Sequence, residues 1–99
     1  MTNPTLHVIA RIVALPEKVE ALKAVLLELV EPTRHEAGCI KYELLQNQSD
    51  PTDFTFVEEW TSHDALNTHS VSVHMKAAGA KFEGLVAAKP DVRQYNLLA

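Results

Sequence analysis

Residues 39–60 read CIKYELLQNQSDPTDFTFVEEW, and this stretch decides the fold. Two runs of alternating character flank a polar centre. In the first, Cys39 to Gln46, residues Ile40, Tyr42 and Leu44 alternate against Cys39, Lys41, Glu43 and Leu45. In the second, Phe54 to Thr61, residues Phe54, Phe56, Glu58 and Trp60 share one side. A repeat of two is that of a strand, because successive side chains point to opposite faces. The centre, Asn47-Gln48-Ser49-Asp50-Pro51-Thr52-Asp53, is rich in residues that preset a turn or hydrogen-bond their own backbone. So short a connection joins two strands as an antiparallel hairpin.

Upstream, Thr5 to Leu15 alternates as well, with Leu6, Val8, Ala10, Ile12 and Ala14 on one face and His7, Ile9, Arg11 and Val13 on the other. Pro16 then opens a helix, since proline is tolerated in a first turn and Glu17 suits a helix N-terminus. Val19, Leu22, Leu26, Leu29, Val30 and Thr33 make its apolar stripe. Pro32 is expected to kink the last turn, and Gly38 to close the helix. Downstream, Ser62 is a good N-cap for a short helix whose Ala65, Leu66 and His69 share a face. Val71-Ser72-Val73 interrupts, and a longer helix is expected from Val73 to Leu85. Asp91 to Leu98 alternates as a last strand.

The order β-α-β-β-α-β predicts an α+β, ferredoxin-like split βαβ fold over a single domain, residues 1–99. Helices would cover one sheet face. Ile9, Val13, Val57 and Leu97 leave apolar side chains on the other, and a second copy packed face to face is the economical cover. A homodimer is therefore expected.

Composition removes several classes of function. Ninety-nine residues carry a net charge of −4 with no Lys/Arg cluster, so no nucleic-acid partner is expected. No apolar run approaches 18 residues and no signal segment is evident, so no membrane partner is expected either. A single cysteine, Cys39, fits a reducing compartment, hence the cytoplasm. Three glycines form no phosphate-cradling loop. What remains is a domain that binds a small molecule, another protein or its own copy.

Five histidines occur, and three of them, His63, His69 and His74, lie within twelve residues. Imidazole titrates near neutrality and is the commonest general acid or base. His69 shares a face with Leu66 and so points inward. Spacings of six and five do not hold one helical face, so no metal site is expected. Glu58 falls in phase with three aromatics, where a carboxyl has a raised pKa or needs a partner. It reads as a base or as the orienter of His69, and alternatively as half of an ion pair with Arg11 or Arg93 or as a residue whose register puts it at a wet edge. Trp60 and Tyr42 suit a planar ligand, and equally suit plain core packing.

Several stretches resemble the antibiotic biosynthesis monooxygenase superfamily: Glu36-Ala37-Gly38-Cys39-Ile40-Lys41-Tyr42-Glu43, Phe56-Val57-Glu58-Glu59-Trp60-Thr61-Ser62, Ala65-Leu66 with His69, and His74-Met75-Lys76-Ala77. Order and spacing match over nearly the whole chain. The resemblance implies a dimeric α+β barrel. It also implies an oxidoreductase resembling quinol monooxygenases, which oxidise hydroquinones or polycyclic phenolics with O2 and no flavin, haem or metal cofactor. On that resemblance His69 is the leading base, His74 the second, Glu58 orients a ring nitrogen or holds a substrate hydroxyl, and Trp60 and Tyr42 line the pocket. Haem-degrading relatives use three residues whose positions here are Ala10, His69 and Gly79, and none matches. Two other outcomes remain: an isomerase of a small carbonyl compound, with Arg11 and Lys76 the obvious basic candidates for a phosphate, or a non-catalytic dimeric small-molecule-binding or stress-response module.

Overall fold

A computed structural model describes residues 5–99. Residues 1–4, to which the single-domain span and the reading of no signal segment extend, lie outside the described residues. The chain runs β1 (Leu6–Val13), a 3-10 turn (Pro16–Lys18), α1 (Val19–Glu28), α2 (Val30–Arg34), β2 (Cys39–Gln46), β3 (Asp53–Trp60), α3 (His63–Ser70), α4 (Val73–Phe82) and β4 (Asp91–Tyr95). The strands form one antiparallel sheet in the order β2-β3-β1-β4. This is the expected α+β, ferredoxin-like arrangement.

Strand phase follows the sequence alternation. Leu6, Val8, Ala10 and Ile12 of β1 and Phe54, Phe56, Glu58 and Trp60 of β3 are all buried beneath the helices. Leu22 and Leu26 of α1 are completely enclosed above them, each contributing about 1.5–3 kcal/mol by leaving water. The hairpin is fastened at its tip. The Asp53 carboxylate accepts from Arg11 Nε at 2.8 Å and from Asn47 Nδ2 at 3.0 Å.

Three element ends and one strand phase differ from expectation. The helix after Pro16 breaks at Leu29, a turn before Pro32: proline has no N–H to close on the Glu28 carbonyl, and Leu29 bonds Leu26 instead. Ile40 is exposed because a register shift between Cys39 and Lys41 throws it out of phase with Tyr42. Helix α4 stops at Phe82. Glu83 is extended and Gly84 has φ +80°, which turns the chain so that Leu85 to Ala87 bonds the end of β1. Strand β4 stops at Tyr95, which pairs with His7 near the start of β1.

Gly38 matters for the site. Its φ is +87°, and a Cβ there would lie 2.5 Å from the Ala65 Cβ and 2.7 Å from Thr61 Oγ1. Only glycine lets the α2–β2 corner press this closely on the start of α3. The corner carries Glu36.

Among the described residues no element covers the second sheet face, whose β1 and β3 side chains are half-buried or exposed. The chain exposes 6475 Å², against about 5,600 Å² expected for a folded monomer of this mass. Among the described residues no helix is long and apolar enough to cross a membrane.

Candidate active site

Three elements converge below the α3–α4 corner. His69 occupies the last turn of α3 and His74 the first turn of α4. Ser72 fixes the angle between them: its hydroxyl donates to the His69 carbonyl at 2.7 Å and caps α4 by accepting from the Met75 N–H at 3.4 Å. From the α2–β2 corner, Glu36 brings one carboxylate oxygen between the two rings. Oε2 lies 2.7 Å from His69 Nδ1 and 2.7 Å from His74 Nε2. A carboxylate only accepts, so each ring donates to it, and the His69 lone pair is left on Nε2. The His69 ring is wedged between Trp60, centroid 4.7 Å away, and the edge of Tyr42 at 5.6 Å.

Glu58 sits mid-way along β3, paired with Val8 on one side and Tyr42 on the other. Its Oε1 accepts from Trp60 Nε1 at 2.9 Å. Burial pushes its pKa up to about 7, the Trp60 hydrogen bond restrains the rise, and the Glu36 charge adds to it. Burial, with Glu58 next, also holds the Tyr42 hydroxyl well above its usual range. Cys39 is likewise raised, by burial first and then by Glu36 and Glu58, so it stays a thiol.

His69 and Glu58 face a common cavity of about 120 Å³ between sheet and helices. Its walls are mainly apolar, from Ile12, Leu29, Tyr42, Phe56, Met75 and Phe82. It reaches the β4 edge at Pro90 and Val92, where Val92 is exposed and the cavity meets solvent.

The cavity thus gathers His69, Glu58 and Tyr42 from the sequence-derived candidates. His74 does not line it; that imidazole stands behind, joined through Glu36. Trp60 does not line it either, being fully buried under His69 with its N–H committed to Glu58. The carboxylate that holds the His69 ring is Glu36, not Glu58. Nor does Glu58 pair with arginine: Arg11 bonds Asp53 and Arg93 bonds Asp91. Glu36 was missed because it is 33 and 38 residues from its partners. Its one sequence signal is its place two residues before Gly38.

A family model described as antibiotic biosynthesis monooxygenase matches residues 5–81. The chain belongs to this family. Among relatives of the antibiotic biosynthesis monooxygenase domain, "Putative monooxygenase Rv0793" of Mycobacterium tuberculosis is 38% identical over 75% of this chain and 71% of its own length. An uncharacterised Synechocystis protein, sll1783, is 28% identical over 83% of this chain, which spans only 56% of that relative. In structure the chain is similar to PA3566 from Pseudomonas aeruginosa, with a TM-score of 0.94 and 34% identity over 100% of this chain and 99% of that one. The crystal structure of Rv0793 superposes with a TM-score of 0.89 at 29% identity, covering 96% of each chain.

Proposed function

We propose that this antibiotic biosynthesis monooxygenase domain oxidises a small hydroquinone or related phenol with O2, using no flavin, haem or metal. The observation that carries this reading is His69. Its Nδ1–H is held by Glu36, which leaves the lone pair on Nε2, and its ring lines an apolar cavity that also presents Glu58 and Tyr42. A deprotonated hydroquinone is electron-rich enough to reduce O2 itself. The protein therefore needs to supply a base, a fixed pose and a dry enclosure.

In this mechanism His69 Nε2 takes the substrate hydroxyl proton, and the Glu36 carboxylate stabilises the resulting imidazolium. The ring anion passes one electron to O2, and the two radicals join to form a carbon–oxygen bond. The peroxide anion recovers its proton from His69. Loss of the ring proton and cleavage of the O–O bond then release water. One hydroquinone and one O2 give one hydroxyquinone and one H2O, with no outside reductant. Glu58, protonated below about pH 7, can donate a hydrogen bond to the second oxygen of the substrate.

At about 120 Å³ the cavity is somewhat smaller than the roughly 150 Å³ that accepts benzene, so a single ring is the most it encloses. Larger phenolics would extend past Val92 to the solvent. A second reading, isomerisation of a small carbonyl compound, draws on one feature: Glu58 and His69 face the same cavity and could pass a proton between two carbons. The uncovered sheet face, with Ile9 and Val57 on adjacent strands, supports a homodimer. The free Cys39 thiol supports a reducing, cytoplasmic setting.

The test is oxygen consumption by chelator-treated protein over a panel of reduced quinols, beside His69→Ala. Uptake that the variant loses supports oxygenation. Solvent deuterium entering a carbonyl substrate without O2 uptake supports the isomerase.

A further inference from the structure

The Glu36–His69–His74 cluster has a property that base catalysis does not use. Three potential ligand atoms, His69 Nδ1, His74 Nε2 and one Glu36 carboxylate oxygen, all lie within 4.8 Å of one another. We propose that this cluster is a binding site for a first-row divalent cation such as Zn2+.

The donor set is two imidazoles and one carboxylate, a combination that suits zinc-like ions, with further positions left for water. Spacing along the chain argues against such a site only if both histidines must share one helix. Here they flank a corner, and the Ser72 bridge turns the α3 and α4 imidazoles toward the same point. At present Glu36 Oε2 is 2.7 Å from each nitrogen. Ligands around a tetrahedral ion with bonds near 2.1 Å stand about 3.4 Å apart. Entry therefore requires the Glu36 oxygen to withdraw by less than about 1 Å and the two nitrogens, up to 4.8 Å apart, to close by up to about 1.4 Å, a movement that falls to the more exposed His74. The surroundings already fix the ligands: Trp60 and Tyr42 hold the His69 ring, and the Ser72 hydroxyl lies 3.3 Å from His74 Nε2. Access is from the His74 side, where that side chain is 23% exposed against 4% for His69.

Occupancy changes the chemistry of His69. A cation on Nδ1 displaces the proton there, and a neutral ring then carries it on Nε2, the nitrogen left for the cavity. The base becomes a hydrogen-bond donor, so a bound cation holds the oxidation described above switched off. That consequence rests on the proposed function; the ion site itself does not.

The test is titration of Zn2+ into the chelator-stripped full chain, read by competition with a chromogenic chelator. One Zn2+ per chain is expected. Glu36→Gln and His74→Ala should each weaken binding by about tenfold or more, while His35→Ala and His63→Ala, outside the cluster, leave it unchanged. Circular dichroism checks that the variants fold. An independent readout on the unaltered protein is the 15N spectrum of the imidazoles, in which Zn2+ should move the His69 proton from Nδ1 to Nε2. No binding up to millimolar Zn2+, binding indifferent to both cluster variants, or an unmoved His69 proton would overturn the proposal. None of these readouts requires turnover, so failure of quinol oxidation and failure of the cation site are told apart.

Discussion

Replacing Glu58 with glutamine should stabilise this protein at neutral pH and do nothing at low pH. A carboxyl raised from its ordinary 4.5 to about 7 represents about 3 kcal/mol of unfavourable burial of the charged form, at 1.36 kcal/mol per pH unit. The folded pKa lies above the unfolded one. Between those two values the folded state holds a proton that the unfolded state has released. Stability therefore falls as pH rises from about 4.5 to about 7, and the loss is complete above that. Glutamine keeps the shape and can still accept from Trp60 Nε1, as the protonated carboxyl does, and the raised pKa already includes the Trp60 bond to the charged form. The gain for Glu58→Gln at pH 8 is then about 3 kcal/mol, falling to near zero at about pH 4.5 and below. Urea unfolding at a series of pH values measures it. With a slope of about 1–2 kcal/mol per molar for a chain this size, the midpoint should rise by about 1.5–3 M at pH 8. Other titrating groups cancel between the two proteins. A difference that is independent of pH, or a variant less stable at pH 8 than the parent, would refute the burial of a neutral Glu58. On the proposed function, that cost serves to keep a hydrogen-bond donor facing the cavity up to neutrality.

Other consequences are equally direct. Glu36→Gln should lower kcat by about a hundredfold with KM little changed, because Glu36 holds His69 without lining the cavity; steady-state kinetics separates the two. Gly38→Ala forces a side chain into a left-handed backbone and against Ala65 and Thr61, so it should cost about 2–5 kcal/mol in thermal or urea unfolding. Val57→Lys places a charge on the uncovered sheet face and should halve the mass seen by analytical ultracentrifugation, from twice 11.0 kDa to 11.0 kDa; an unchanged mass would remove that face as the dimer interface.

The strands and their inward faces were legible because alternation is a local signal. Leu6 to Ile12 and Phe54 to Trp60 each declare a buried side without knowledge of the partner. The same logic brought Glu58 to the buried face and His69 to the inner face of α3. What local pattern could not carry was convergence. Glu36 reaches His69 and His74 only because Gly38 allows the α2–β2 corner to lie on α3, a contact between segments that periodicity does not connect. Trp60 illustrates the reverse. Its phase was readable, but whether a buried aromatic lines a cavity or backs it depends on the layer above, here the His69 ring. Helix ends were misplaced where backbone hydrogen bonding at one residue decides, as with the missing Pro32 N–H and the left-handed Gly84.

The most direct measurement is turnover of a single-ring hydroquinone under 18O2 by chelator-treated protein, with His69→Ala in parallel. The account predicts one 18O atom in the hydroxyquinone, the other in water, and a rate reduced by about 10²–10⁴-fold in the variant. A product without label, or equal rates with and without the His69 imidazole, would contradict it.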